Sequence, residues 1–314
     1  MIAVLSGGVG GSRFLQGLVR VVPPEEVVAI VNTGDDEEFF GLYVSPDPDI
    51  VTYALGGIVD EERGWGVRGD TFRWLEAMRR FGHETWFQIG DRDLATHLYR
   101  TRRLREGATP SQVAGELAER LGVRARVLPM SDGRVRTVVE TEAPRLPTGR
   151  GALPFQRYLV QRGARDRVLG LRFEGAGGAR PAPGVLEALR EAEFILIAPS
   201  DPLASIGPIL ALPGVREALA SRRDRVAGVS PIVAGRSLRP PAAELLAGLG
   251  HEVSALGVAR LYRDLARVFV LDREDAGLTP AVRELGLEPV MADTIMRDAA
   301  AKEALARATL EALG

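Results

Sequence analysis

The sequence predicts an α/β protein: a mostly parallel sheet with helices on both faces, interrupted by a helical insertion. Short β-branched runs of four or five apolar residues recur at 2–5, 27–31, 194–198, 226–229 and 268–271, the length and character of strands buried on both faces. Helical stretches separate successive runs, as crossovers between parallel strands require. Between 50 and 121, by contrast, helical periodicity dominates and strand patterns are scarce. The expected division is a core of residues 1–49 and 122–314 with an insertion subdomain of 50–121.

The first run ends in Ser6-Gly7-Gly8-Val9-Gly10-Gly11-Ser12-Arg13, and Phe14-Leu15 open a helical pattern. Glycines permit a sharp turn and close backbone approach, and free N–H groups at a helix start attract an anion, most often a phosphate. Gly8, Gly10 and Gly11 are the expected contacts; a tight turn of no chemical role is the plainer alternative. The spacing departs from the dinucleotide fingerprint, because Arg13 stands at the third glycine position and Asn32 near the place of a ribose-binding acid. Nor is it a P-loop, since no Lys-Ser/Thr follows.

The second run closes on Asn32-Thr33-Gly34-Asp35-Asp36, completing a strand–helix–strand unit, and the loop is expected to continue through Ser45-Pro46-Asp47-Pro48-Asp49. Carboxylates beside a phosphate repel it unless a cation stands between, so these four aspartates point to Mg²⁺; solvated loop acids are the alternative. Within the insertion, helices are expected over 71–80 (capped by Asp70), 94–103, and 111–120 entered by Thr109-Pro110. In the stretch from Gly90 to Thr101, Asp93 and His97 are four apart, as are Thr96 and Arg100. One helical face can therefore carry an acid, an imidazole, a hydroxyl and a guanidinium. A structural hydrogen bonder is the competing reading of His97.

Strand-like alternation returns at 124–130, 135–140 and 168–173, with Gly- and Pro-rich loops at 145–150 and 175–184. Further helices are expected at 185–192, 214–221, 242–248, 280–285 and 299–313. In a parallel sheet the ligand lies beyond the carboxyl ends of the strands. Ser200, in Pro199-Ser200-Asp201-Pro202, and Ser230, before Pro231, are therefore site candidates; the first set reads equally well as a helix cap.

A formal net charge of -2 gives no support to nucleic-acid or membrane-surface binding. The absence of cysteine removes disulfides, thiolate metal sites and thiol nucleophiles, and with only three histidines any metal is expected to be hard and carboxylate-held. No apolar run approaches a bilayer span of roughly 18 residues, and a cytoplasmic location is expected.

Taken together, the motifs resemble the 2-phospho-L-lactate transferase family of coenzyme F-420 biosynthesis. The matching stretches are Ser6 to Gly10, Asn32-Thr33 with Asp36, Ser45 to Asp49, Trp65-Gly66, Asp70-Thr71-Phe72, the Gly90-Asp91-Arg92-Asp93-Leu94-Ala95-Thr96-His97 run, Leu128 to Asp132, Pro199 to Leu210, Val229 to Ile232 and Ala292-Asp293-Thr294. The run ending in His97 is the specific one. The resemblance implies a Rossmann-like core, a homodimer and use of Mg²⁺. It implies transfer of a phosphorylated three-carbon acid from a guanosine diphospho donor to the 5′-hydroxyl of the deazaflavin FO, releasing GMP. Asp49 matches an FO-holding position, and Gln88 stands where relatives usually carry Lys or Arg at another. Asp201, often Asn in the family, and Arg239-Pro240-Pro241, often Lys/Ser-Gly-Pro, depart from the pattern on the donor side.

On this reading Gly8, Gly10 and Gly11 hold the diphosphate, with Asn32, Ser200 and Ser230 at the strand ends. Asp49 and Asp36 are the metal and catalytic residues, and Asp49 also polarises the acceptor hydroxyl. Gln88, Asp91, Thr96 and His97 close over the deazaflavin. The competing class is a non-enzymatic group of nucleotide-sugar-binding regulators that shares the glycine loop. Its Gly- and Ser-rich loop after the second strand is replaced here by Ser45-Pro46-Asp47-Pro48-Asp49, which favours the transferase.

Overall fold

The computed structural model describes residues 1–143 and 149–314. Strand β1 (Ile2–Ser6) is buried throughout, and helix α1 (Gly8–Val21) starts one residue later. β2 (Val27–Val31) returns parallel to β1, pairing Ile2 with Val27 and Ser6 with Val31. A hairpin of β3 (Glu37–Phe39) and β4 (Leu42–Val44) leads through α2 (Pro46–Leu55), α3 (Arg73–Arg80), α4 (Asp93–Arg105) and α5 (Pro110–Arg120) to β5 (Arg126–Pro129). β6 (Arg136–Glu142), β7 (Arg150–Pro154) and β8 (Val168–Glu174) form a separate antiparallel sheet in the order β7-β6-β8. Next come α6 (Val185–Glu191), β9 (Phe194–Ile197), α7 (Ile206–Leu210), α8 (Val215–Ser221) and β10 (Val226–Val229). A small hairpin of β11 (Ile232–Val233) and β12 (Arg236–Ser237) precedes α9 (Ala242–Gly248) and α10 (Ala255–Tyr262). β13 (Val268–Asp272), α11 (Thr279–Glu284), β14 (Glu288–Ala292) and α12 (Ala299–Glu311) complete the chain.

The main sheet runs β14-β13-β10-β9-β1-β2-β5, with every pairing parallel. Alternate side chains feed two cores, as strands covered on both faces must. Leu5, Ile30, Ile195 and Ile197 pack with Val185, Leu189, Ile206 and Val258 on one face. On the other, Val4, Ala29 and Leu196 pack with Phe14 and Leu18 of α1, Val51 of α2 and Leu305 of α12. A Cβ at Gly17 would stand 2.1 Å from the Lys302 carbonyl oxygen, so that glycine sets how closely α1 and α12 approach.

From β1 the chain crosses first to β2 on one side and later brings β9 to the other. The crevice beyond the carboxyl ends of β1 and β9 is therefore the topological switch point, where this architecture binds ligands. No helix among the described residues is long and apolar enough to cross a membrane.

Several sequence expectations shift in the fold. Residues 46–49, expected as loop, are the first turn of α2, so the boundary drawn at 49/50 falls inside a helix. Pro46 presets the helical φ at the first position, and Asp47 and Asp49 complement the dipole there. Asp70 does not cap α3. It accepts from the N–H groups of Arg92 (2.8 Å) and Asp93 (3.0 Å) at the start of α4, while Asp91 accepts from Arg73 (3.2 Å) and Trp74 (3.0 Å) at the start of α3. Each aspartate serves the other's helix, a pairing that only the folded geometry could reveal. The helix entered by Thr109-Pro110 is α5 as expected, and Thr109 and Gln112 close its start with a capping box. Of the expected loop at 145–150, residues 145–148 lie outside the described residues, and Arg150 already belongs to β7.

Candidate active site

A cavity of about 640 Å³ opens at the switch point. Its polar floor is the β1–α1 turn and the loop after β9. Gly8 takes a left-handed φ of 61°, and its N–H donates to Asp47 Oδ1 at 2.8 Å. The Gly7 N–H donates to Ser200 Oγ at 3.1 Å, and the Ser200 hydroxyl donates back to the Gly7 carbonyl at 2.7 Å. The first donor of the expected phosphate loop thus already holds a carboxylate, the chemistry such a turn favours. Gly10 and Gly11 are required for a different reason than close approach of a ligand. A Cβ at Gly10 would stand 2.0 Å from the Pro199 carbonyl oxygen, and one at Gly11 2.6 Å from Ser200 Oγ. Both let α1 press against the loop after β9; Gly10 also lines the cavity and Gly11 does not.

Asn32 likewise faces protein. Its amide nitrogen donates to Asp35 Oδ1 (3.1 Å) and Asp47 Oδ2 (2.9 Å), and its oxygen accepts from the Gly34 N–H at 2.7 Å. It binds two carboxylates together behind the cavity wall. Asp35 also accepts from Gln156 Nε2 at 2.7 Å, which ties the β7 side of the site to the core. Ser230 lines the cavity, but its hydroxyl is committed to the Ile232 backbone, donating to the carbonyl at 2.8 Å and accepting from the N–H at 3.1 Å.

The insertion supplies a buried cluster around Asp49. Arg100 grips both Asp49 oxygens, through Nη1 at 3.0 Å to Oδ2 and through Nη2 to Oδ1. His97 Nδ1 lies 3.7 Å from Asp49 Oδ2 and 3.2 Å from Arg100 Nη1. On its other side His97 Nε2 is 3.2 Å from Asp93 Oδ1, close but off line for a hydrogen bond, while the Tyr53 hydroxyl donates to the same oxygen at 2.7 Å. Asp49, Asp93, His97, Gln88 and Tyr53 all line the cavity, with Trp65, Phe87, Phe155 and Leu159 forming an aromatic and apolar wall. Asp91 and Thr96 do not. Asp91 is spent on the start of α3, and Thr96 sits beside the Tyr53 hydroxyl. Sequence spacing brought Asp93, His97 and Arg100 onto one helix; that Asp49 is their partner depends on α2 packing against α4.

Burial holds the site aspartates above the ordinary carboxylate range. Asp36 is pushed up to about 8, and Asp47 and Asp201 to about 6. Asp35 is raised well above normal by burial and the neighbouring charges of Asp47 and Asp36. Asp49 is raised by burial, an effect that Arg100 and His97 oppose. Asp93 goes the other way: burial pushes it up, but His97, Tyr53 and Arg100 together outweigh that and lower it.

Asp201 gives this a measurable consequence. Oδ1 accepts from the N–H groups of Leu203 (2.9 Å) and Ala204 (2.8 Å), whereas Oδ2 is buried without a partner. An acid whose folded pKa exceeds its unfolded value loses stability as pH rises between the two, here from 3.8 through about 6. Asn keeps the accepting oxygen and removes the charge. Asp201→Asn should stabilise the ligand-free protein on the order of 2 kcal/mol at pH 8 and by nothing near pH 4. Denaturant melts at the two pH values check this; an equal effect at both would refute it.

Residues 2–310 match the family described as 2-phospho-L-lactate transferase CofD. The chain belongs to this family. It is 43% identical over 312 residues to a phosphoenolpyruvate transferase of Streptomyces griseus, covering 99% of this chain and 97% of that one. It is 38% identical over 309 residues to a 2-phospho-L-lactate transferase of Methanosarcina mazei, covering 98% and 99%. A solved member of the UPF0052 family from Bacillus halodurans shares the fold, with a TM-score of 0.67 at 17% identity over 98% of each chain.

As a member of the 2-phospho-L-lactate transferase family, the protein is a transferase with small-molecule substrates. Whether its site suits a metal can be judged from its own atoms. Among the described residues no three acids or imidazoles converge on one point. Mg²⁺ does not need them, being held typically by one or two carboxylates plus phosphate oxygens and water. Asp36 Oδ1 is buried without a partner, and Asp49 retains lone pairs beyond the two that Arg100 engages, since a carboxylate offers about four. Asp36 does not line the cavity, so Asp49 is the better placed of the two. The sequence reading missed Tyr53, Phe87 and Gln156, and it put Asp93 and Arg100 on the His97 face without giving either a role in the site. Arg100 was visible as the partner of Thr96 by spacing, but nothing in the sequence links it to Asp49.

Proposed function

We propose that this transferase moves a phosphorylated three-carbon acid, 2-phospholactate or phosphoenolpyruvate, from a guanosine diphospho donor to the 5′-hydroxyl of FO and releases GMP. The observation that carries the reading is a single cavity lined by the glycine turn at the strand ends, by aromatic side chains and by Asp49. The floor suits a diphosphate and the wall a flat tricyclic ring. The acceptor oxygen bonds to the phosphorus that bears the three-carbon unit, the bond from that phosphorus to the GMP oxygen breaks, and the hydroxyl proton is released to solvent.

A primary alcohol is a poor nucleophile at neutral pH, so alignment and charge stabilisation must do most of the work. Asp49 accepts from the hydroxyl and orients it, and Arg100 opposes the burial that raises the Asp49 pKa and fixes the carboxylate in direction. His97 and Gln88 lie against the acceptor, and the N–H groups at the start of α1 against the donor. Mg²⁺, held by Asp49, would neutralise the diphosphate beside that acid. The reading carries with it a cytoplasmic homodimer.

Relatives bearing both transferase names match at similar identity, so the product decides the donor. Incubated with FO, Mg²⁺ and each guanosine donor, the protein should yield FO enlarged by one phosphate and either lactate or enolpyruvate, read by mass, with one GMP per product. No product from either donor would overturn the proposal.

A further inference from the structure

We propose that Arg13 and Arg239 form a paired-guanidinium site for an oxyanion of the donor, either the three-carbon carboxylate or a nucleotide phosphate. The inference rests on the function proposed above and extends it to two residues that reading leaves without a role. Both arginines line the cavity. Arg13, in the second turn of α1, donates through Nη2 to the Glu61 carbonyl at 3.1 Å. Arg239, in the loop between β12 and α9, donates through Nη1 to the Arg63 carbonyl at 2.8 Å. Two guanidiniums from distant parts of the chain thus dock on one three-residue turn.

That turn carries acids, none of which forms an ion pair with either guanidinium, although Glu61 is near enough for the charge of Arg13 to help lower its pKa. Asp60 pairs with Arg63 at 2.7 Å, and Glu61 pairs with Lys302 at 2.9 Å and accepts from Gln16 at 3.3 Å. Among the described residues neither Arg13 nor Arg239 has a carboxylate in ion-pair range. Gly64 is shaped around the second guanidinium: at a left-handed φ of 81°, a Cβ there would stand 2.6 Å from Arg239 Nη1. Burial and the charge of Arg13 lower the Arg239 pKa, as a neighbouring like charge should.

Each guanidinium offers five N–H donors, and each spends one on a carbonyl, so a planar or tetrahedral oxyanion finds forked donors on both sides. Position matters too. Arg13 is five residues beyond Gly8, about 7.5 Å along the helix axis at 1.5 Å per residue, so the pair lies past the glycine turn rather than on it.

The test is calorimetric titration of the whole protein with pyrophosphate, GMP and phosphoenolpyruvate, separately. Arg13→Gln and Arg239→Gln should each weaken pyrophosphate roughly tenfold, Arg239→Lys should recover part of the loss, and about 0.5 M salt should shrink the difference. A loss for phosphoenolpyruvate with GMP unchanged assigns the oxyanion to the carboxylate; a loss for GMP alone assigns it to the nucleotide phosphate. Unchanged affinity for all three in variants that melt like the parent would overturn the site. Because these are binding measurements, they remain informative if no donor turns over, so failure of the arginine site and failure of the proposed reaction are seen separately.

Discussion

Asp49→Asn should lower turnover at least about 100-fold and flatten the dependence on added Mg²⁺, while GMP affinity changes little. The carboxylate lines the cavity that the glycine turn and the aromatic side chains share, with Arg100 across its two oxygens and His97 beside it. An amide keeps the shape and one accepting oxygen for Arg100, but it brings no charge to a hard cation and is a weaker acceptor for a hydroxyl proton. Nearly normal turnover with unchanged Mg²⁺ response would remove Asp49 from the chemistry. A melt of the variant separates this from simple unfolding, because the substitution also leaves the buried Arg100 without its closest counter-charge.

The second large effect is on stability. Arg100→Met should destabilise the protein by about 3–5 kcal/mol at pH 8, because breaking a buried pair strands the remaining charge. The stranded group is Asp49, with Asp36 and Asp93 close enough to feel the same loss. The melting temperature should fall on the order of 10 °C. At lower pH Asp49 can take a proton instead of standing unpaired, so the loss should narrow toward pH 5. An unchanged melt at pH 8 would mean that the pair contributes no more than a well-packed apolar contact. Arg100 acts on the reaction only through Asp49, and turnover in this variant should fall together with the pH-dependent loss of stability.

Much of the core was legible in the sequence. The apolar runs at 2–5, 27–31, 194–198, 226–229 and 268–271 all became strands of one parallel sheet, because strands buried on both faces leave a continuous β-branched signature. β14 was not seen. It is an edge strand, half-buried, and its Glu288-Pro289 start carries no such run. Residues 46–49 misled for a local reason: two prolines and two acids read as loop chemistry, yet they are also what a helix favours in its first turn.

The site divides along the same line. By itself the sequence determined the sheet, the glycine turn after β1, the acids near it, and the helical face bearing Asp93, His97 and Arg100, because period and composition act over a few residues and are written in the chain. Only the tertiary structure decided what those groups meet. It set Asp47 on the Gly8 N–H, joined Asp49 to Arg100 across 51 positions, exchanged the capping duties of Asp70 and Asp91, and placed Arg13 and Arg239 on the carbonyls of one turn. Such pairings follow from how helices pack on a sheet, and a buried charge takes whichever partner the packing brings within reach.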